Sequence, residues 1–306
     1  MISIRKFAPL ALAIGMCFSG AASAATDTQF NLKNGNGGVI ASNATSLDWN
    51  QTGSGVAIGV GPFRSDAALP PGTQFDFKYQ ANLSSVTGDE GELSGALDRS
   101  SNGNAAPGSQ FEFTIVAKLR EQVLTSSYDG TEAKATFGLV NSPGANKVAI
   151  FFDTARNANT ATGTGFDDGI MIALLTVSQD GTESSFTAKG NSGTGGTKLS
   201  AGIFEAGDFI DQAYLENVER LLFGIKFDSN LNYPAGDSGT SAFHTGSASN
   251  RPDLFDTYNT TGNEIIFKVD GSNTFAQVPE PGSMVLLGAG LLGLVGAARR
   301  RKANKA

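Results

Sequence analysis

Apolar side chains in this chain return at every second residue, in one segment after another. In residues 74–81 the alternation puts Phe75, Phe77 and Tyr79 on one face. Residues 110–117 do the same with Phe111, Phe113 and Ile115, and the pattern runs on toward Leu124. A period of two belongs to strands, whose side chains alternate between faces. More continuous apolar runs at 136–140, 148–152, 169–177, 223–227 and 264–269 read as strands buried on both faces. Asp-Gly pairs at 129–130, 168–169, 180–181 and 270–271 predict turns between them.

A parallel α/β fold would need helical segments between these strands, and the pattern offers none. One stretch differs. Residues 209–222 carry apolar side chains at 210, 214, 218 and 221, the spacing of one helical face, and predict one or two turns of helix packed on a sheet. Gly/Ser-rich stretches at 99–109, 189–202 and 228–250 read as loops. The expectation is an all-β chain: a single jelly-roll-like β-sandwich of about ten strands with one short helix. With 21 Phe against one Trp, its core is expected to stack largely from Phe rings.

The two ends are of another kind. Arg5 and Lys6 precede an apolar stretch, Phe7 to Phe18, and then small residues. This is the form of a Sec-type signal peptide over residues 1–24, with Ala22, Ser23 and Ala24 as the signal-peptidase site. Cys17 is the only cysteine and lies in that leader, so the body has no disulfide, zinc-thiolate or thiol chemistry to draw on. Met16 before it speaks against a lipoprotein signal, which wants a small residue there.

At the other end stand Val278, Pro279, Glu280 and Pro281, then an uncharged run over 283–298, then Arg299, Arg300, Arg301 and Lys302. As a helix the run would span roughly 24 Å at 1.5 Å per residue, short of the ~30 Å hydrocarbon core. It predicts a single transmembrane helix that anchors weakly. The basic stop would stay cytoplasmic and leave the body on the far side. Pro279 and Pro281 keep the junction extended, the form a protease needs. On physics alone a retained C-terminal anchor stays open. In the order of its three parts the tail resembles the PEP-CTERM sorting signal of Gram-negative bacteria. That resemblance implies that 278–306 is a sorting signal processed by an exosortase-type membrane protease, after export through the Sec translocon and cleavage by signal peptidase. The precursor would be tethered in the inner membrane, and the mature protein would reach the cell surface or the extracellular matrix.

Between the ends, residues 25–277 are expected to form one extracellular domain, and they are acidic. The ends hold seven of the 22 basic residues and one of the 29 acidic ones, which leaves 15 against 28 and a net charge of −13 beneath the overall −7. Such a charge argues against nucleic acid as a partner.

Groups for chemistry are few. His244 is the single histidine, in a Gly/Ser-rich segment that predicts an exposed loop, and no Gly-x-Ser-x-Gly elbow accompanies it. Asp167 and Asp168 are adjacent, so in a strand they would face opposite ways, whereas a glycosidase pair shares one cleft. No catalytic residue is expected. Oxygen ligands for calcium are plentiful. Asp153, Asp167 and Asp168 at strand ends form one candidate set. Asp228, Asn230 and Asn232 form another, with calcium-loop spacing but with Tyr233 where glycine should follow.

Near the front the body reads Gly-Gly-Val-Ile-Ala-Ser-Asn-Ala-Thr-Ser-Leu-Asp-Trp49, then Gly-Val-Ala-Ile-Gly. In the middle stand Phe151-Phe152-Asp153 and Thr-Gly-Phe166-Asp167-Asp168-Gly169. In these motifs it is similar to the PepA branch of flocculation-associated PEP-CTERM proteins, and more loosely to other exosortase-dependent surface proteins with an Asp-Asp element. The likeness implies a non-enzymatic protein that holds cells together in an exopolysaccharide matrix. Two other readings stay open. A carbohydrate-binding module would stack sugars on exposed aromatics, Trp49 being the one tryptophan. A polysaccharide-degrading enzyme would use Asp167 or Asp168.

Overall fold

The computed structural model describes residues 29–61, 64–91, 93–218, 220–230, 240–246 and 255–275. The first strands are β1 (Phe30–Lys33), β2 (Val39–Trp49), β3 (Gly53–Ile58) and β4 (Gln74–Asp89), followed by a four-residue helix, α1 (Leu93–Ala96). Then come β5 (Glu112–Tyr128), β6 (Glu132–Leu139), β7 (Lys147–Asp153), β8 (Ile170–Lys189) and β9 (Ser192–Gly202). Two short strands follow, β10 (Phe209–Ile210) and β11 (Leu215–Glu216), and then β12 (Arg220–Asn230). Last are β13 (Ala242–Phe243), β14 (Tyr258–Asn259) and β15 (Ile265–Phe275).

The chain is an all-β sandwich, and its hydrogen bonding runs around both edges. β4 pairs with β5; β5 with β6 and β7; both of these with β8; β8 with β9; β9 with β12; and β12 with β15. From β15 the ladder passes to β2 and β3, and through both back to β4. All of these pairings are antiparallel. The closure leaves few free edges to template pairing with another chain. The length of β4, β5 and β8 makes it work: β7 lies against Glu112–Lys118 and β6 against Glu121–Tyr128, so two strands share one course.

Phenylalanine fills the interior, as the composition suggested. Phe75 meets Phe137 with ring centroids 5.2 Å apart, Phe113 meets Phe152 at 5.2 Å, and Phe186 meets Phe267 at 5.3 Å, all edge to face. Each such pair adds about 0.5–1.5 kcal/mol beyond its buried area. A second, smaller apolar cluster lies on the outward face of β5, β7 and β8, where Val116, Phe151 and Leu174 are covered by Ala158, Phe166 and Phe255.

The predicted strands are present, but three local readings need correction. Residues 209–222 are not helical. They form β10, a turn in which Tyr214 and Leu215 donate to the Asp211 carbonyl, β11, and the start of β12. Asn217 sits at φ 68°, which no right-handed helix passes through. Of the predicted stripe, Val218 and Leu221 are buried and Ile210 and Tyr214 pack partly buried against the same core, so a turn and short strands bury residues at a helical spacing.

Residues 192–202 are strand, not loop. At Gly195 an added Cβ would lie 2.2 Å from the Ser185 carbonyl oxygen and 2.8 Å from the Phe186 ring. The glycine there marks close approach of neighbouring backbone rather than a turn.

Two Asp-Gly signals also fall inside strands. Asp180-Gly181 coincides with the irregular register of β8 against β9, between Ser178 and Glu183. Gly271 leaves room for Tyr79, whose hydroxyl oxygen would lie 2.6 Å from a Cβ. Asp129-Gly130 does turn the chain, with Asp129 Oδ1 accepting from the backbone N–H of Thr131 and Glu132. Among the described residues no helix is long and apolar enough to cross a membrane. The expected signal peptide and the run over 283–298 lie outside them.

Candidate functional site

The outward face of β4, β5 and β7 is covered by two segments, the loop over 154–169 and a strap formed by 240–246 and 255–259. Polar side chains standing on the strands hold both. Thr114 Oγ1 donates to the Phe166 carbonyl at 2.6 Å, and Glu112 Oε1 accepts from the backbone N–H of Asn157 and Ala158 at 2.7 and 3.2 Å. Gln80 grips the strap twice, donating to the Ala242 carbonyl and accepting from the His244 N–H, each at 3.1 Å. Lys78 and Lys118 share Asp256 Oδ1 at 3.1 and 2.7 Å. The two ammonium groups outweigh the cost of burial and hold the Asp256 carboxyl well below the usual range. Loop and strap are joined where Gly246 N–H donates to Asp167 Oδ1 at 2.6 Å.

His244 is not exposed, as its Gly/Ser-rich setting suggested, but fully buried. Its Nε2 lies 3.2 Å from the Tyr79 carbonyl oxygen and its ring stands edge-on to Phe255. Burial, helped by Lys78, pushes its pKa down to about 3, so it takes up no proton near neutrality. The Phe next to it was the one hint of an apolar setting. Trp49 is likewise fully buried, with its indole N–H on Asn273, so it offers no platform for a sugar ring.

The strand-end acids divide between two places. Asp167 is buried toward the strap, and burial raises its pKa to about 7. Asp153 and Asp168 approach each other elsewhere. Burial raises the Asp153 pKa, and the Asp168 carboxylate adds to the rise. Asp168 is exposed and accepts from Asn157 Nδ2 at 2.8 Å. Asp228 and Asn230 lie within β12, paired to β9, and Asn232 is outside the described residues.

Glu112 lies beside Asp153, though nothing along the chain signalled it. It is the register partner of Asp153 across β5 and β7 and is fully buried, which raises its pKa to about 8. Three buried oxygens in this region lack a hydrogen-bond partner: Glu112 Oε2, Asp153 Oδ2 and Asn157 Oδ1. Among the described residues no group of three or more His, Cys, Asp or Glu side chains could hold a metal ion.

A second feature lies elsewhere on the described strands. A groove of about 800 Å³ crosses β2, β15, β12, β9, β8, β6 and β5. Its lining mixes the exposed polar side chains of Asp270, Ser272, Lys198, Ser185 and Thr136 with an exposed Leu124, and Gly224 and Gly196 lower its floor.

The sorting residues Val278, Pro279, Glu280 and Pro281, the basic stop Arg299–Lys302, and Ala22–Ala24 lie outside the described residues. The family model of the PEP-CTERM protein-sorting motif matches residues 277–302, which takes in the Pro-Glu-Pro box, the apolar run and the first four basic residues. The chain carries a PEP-CTERM sorting motif. It is thereby an exported protein, attached to the membrane during sorting by an exosortase and then presented at the cell surface. No curated protein and no solved structure matches the chain. The PEP-CTERM motif thus defines how the protein is delivered, and the sandwich is what it delivers.

Proposed function

We propose that this PEP-CTERM protein is a non-enzymatic structural component of an exopolysaccharide matrix, serving cohesion of a floc or biofilm. The sorting motif at 277–302 carries the reading, because it sends an acidic, cysteine-free sandwich outward. The body motifs that resemble the flocculation-associated branch support it. So does the state of the single histidine, which is buried and held neutral. The sandwich suits a passive load: its ladder closes on itself, and its interior is packed with Phe. The test is deletion of the gene, followed by scoring cell aggregation and exopolysaccharide separately. Loss of cohesion with polysaccharide still made is the expected result. Unchanged aggregation overturns the role.

One observation favours a second reading, binding to the polysaccharide itself. The groove of about 800 Å³ presents hydroxyl, carboxylate and ammonium groups to solvent, the partners a glycan chain uses. Here sugars would be held by hydrogen bonds rather than by stacking on Trp49, which is inside. The double variant Lys198→Ala/Asp270→Ala separates the two readings: it abolishes retention on the producer's polysaccharide if the groove binds, and leaves retention unchanged if it does not.

A further inference from the structure

Among the described residues eight large apolar side chains are exposed, and four of them stand around the turn that joins β9 to β10: Ile203, Phe204, Phe209 and Leu222. Ile203 and Phe204 leave 55% and 51% of their surface to solvent. The register assembles the group. Gly202, at the end of β9, faces Arg220 on β12, and Ser200 faces Leu222. The Phe204 ring lies against Gly202, where an added Cβ would meet it at 3.0 Å, and the Arg220 guanidinium stands 5.3 Å from its centroid. Single exposed apolar residues are ordinary, but several gathered in one place mark a surface that meets something apolar.

The turn is built to display them. Asp208 Oδ2 accepts from the backbone N–H of Phe204 and Glu205 at 3.1 and 2.9 Å, and Lys147 holds Asp208 from inside at 2.7 Å. The backbone under Phe204 is therefore fixed, and the half-exposed ring is held out rather than left loose. The Glu205 carboxylate is drawn back to the same ammonium at 2.8 Å. Both acids of the turn are thus matched by Lys147, and Arg220 brings a positive charge to Phe204. The chain also leaves the sandwich here. β15 ends at Phe275, the register partner of Leu221, with Thr274 opposite Leu222. Residues 276–282 separate that end from the uncharged run that begins at 283. Fully extended, they reach at most roughly 25 Å. During sorting the PEP-CTERM motif attaches the protein to the membrane, which keeps the corner at Leu222 within that reach of the bilayer.

We propose that Ile203, Phe204, Phe209 and Leu222 rest on the lipid surface of the membrane that holds the sorting segment. The exit of β15 decides for lipid, because the protein's own attachment brings this corner to a bilayer. Exposed Phe, Ile and Leu enter the boundary between head groups and acyl chains, to a depth of about 5–10 Å. The Arg220 guanidinium beside them can bond a lipid phosphate while its stem stays on the apolar side. Docking sets which end of the sandwich faces the membrane. The opposite end is the β5–β6 turn. From Tyr128 the ladder passes through Ala133 and Ala188 to Gly193, and β9 then covers roughly 30 Å to Gly202. The tether supplies the high local concentration that lets four side chains hold. Processing of the tail removes it, so the contact belongs to the sorting stage and does not retain the finished protein.

The test uses the full-length chain carrying Cys17→Ser, reconstituted into vesicles of phosphatidylethanolamine and phosphatidylglycerol and recovered by flotation. A fluorescent label is attached at Ala206→Cys, an exposed position just past Phe204, or at Tyr128→Cys, exposed at the opposite end. Doxyl-bearing lipid is expected to quench the first label and iodide in the water to spare it. The second label is expected to show the reverse. Adding Ile203→Ser and Phe204→Ser is expected to abolish the lipid quenching at the first position and open it to iodide, while the protein still floats with the vesicles. Leu222→Ser, on a different strand, is expected to weaken the same quenching, which keeps the test independent of the turn. Equal quenching of the two labels by either agent overturns the proposal. So does lipid quenching that survives both Ile203→Ser/Phe204→Ser and Leu222→Ser, because the tether alone would then account for it.

Discussion

Trp49 and Asn273, 224 residues apart in sequence, meet in the interior, where the indole N–H donates to Asn273 Oδ1 at 2.7 Å. They sit on β2 and β15, at the join that carries the ladder around one edge of the sandwich. Asn273→Leu removes the acceptor and leaves a buried N–H unpaired, at a cost of about 1–3 kcal/mol. Urea unfolding followed by the fluorescence of this one tryptophan measures the cost. Glycans are expected to leave the emission of the parent unchanged, because the ring has no contact with solvent.

Lys147 and Asp208 form a buried ion pair at 2.7 Å. Asp208 also accepts from Thr176 Oγ1 and from the backbone N–H of Phe204 and Glu205, and so ties the turn before β10 to β7 and β8. Burial pushes its carboxyl up, but Lys147 and these donors prevail and hold it below the usual range. Asp208→Ala leaves the ammonium with Glu205 Oε2 at 2.8 Å and Thr176 Oγ1 at 2.6 Å but takes away the acceptor of the turn, and is expected to cost about 1–3 kcal/mol. The pair Lys147→Met/Asp208→Leu is expected to recover most of that loss, as read from urea midpoints.

Glu121 and His244 make stability depend on pH in opposite senses. Glu121 points into the Phe-lined interior, and burial raises its pKa from 4.5 to about 7. The folded state therefore holds a proton that the unfolded chain releases, and stability falls as pH rises from about 4.5 to 7, by up to roughly 3 kcal/mol. His244 is held at about 3 against 6.5 unfolded, so stability falls as pH drops below 6.5. Urea midpoints across pH 4–8 are expected to peak between these limits. Glu121→Gln removes its share of the alkaline decline, to which Asp167 and Glu112 also contribute, and His244→Gln removes its share of the acid one while keeping a donor for the Tyr79 carbonyl.

Gly163 is where loop and strap come closest. Its φ is 71°, and an added Cβ would fall 1.5 Å from the Ala242 carbonyl oxygen. Gly163→Ala is expected to lift the strap and cost more than about 3 kcal/mol, beyond the 1–3 kcal/mol of backbone strain alone. Gly130→Ala, at φ 92° with nothing within 4 Å, pays only the strain. Protease cutting near residue 246 should accelerate in the first variant and not in the second.

Most strands could be read from alternation, because a half-buried strand writes its two faces into consecutive residues. Failures arose where burial came from elsewhere. Ile210, Tyr214, Val218 and Leu221 imitate a helical stripe because a turn and short strands converge on the same core. β9 was hidden by its glycines, which allow close backbone packing and give no apolar period. Of the acids around the end of β7, Asp153 and Asp168 drew notice by position. Glu112 looked like any outward-facing acid, and only the loop folded over it makes it buried.

Reading along the chain was enough for the all-β class and for the route of delivery. Both are written in short contiguous patterns, alternation in the body and the Pro-Glu-Pro box, apolar run and basic stop at the end. Register across strands and the docking of 154–169 and 240–246 were set by contacts between distant residues. Those contacts bury His244, put Trp49 inside, and bring Glu112 opposite Asp153. Burial and strand partnership depend on what folds over a residue, and nothing in its immediate neighbours records that.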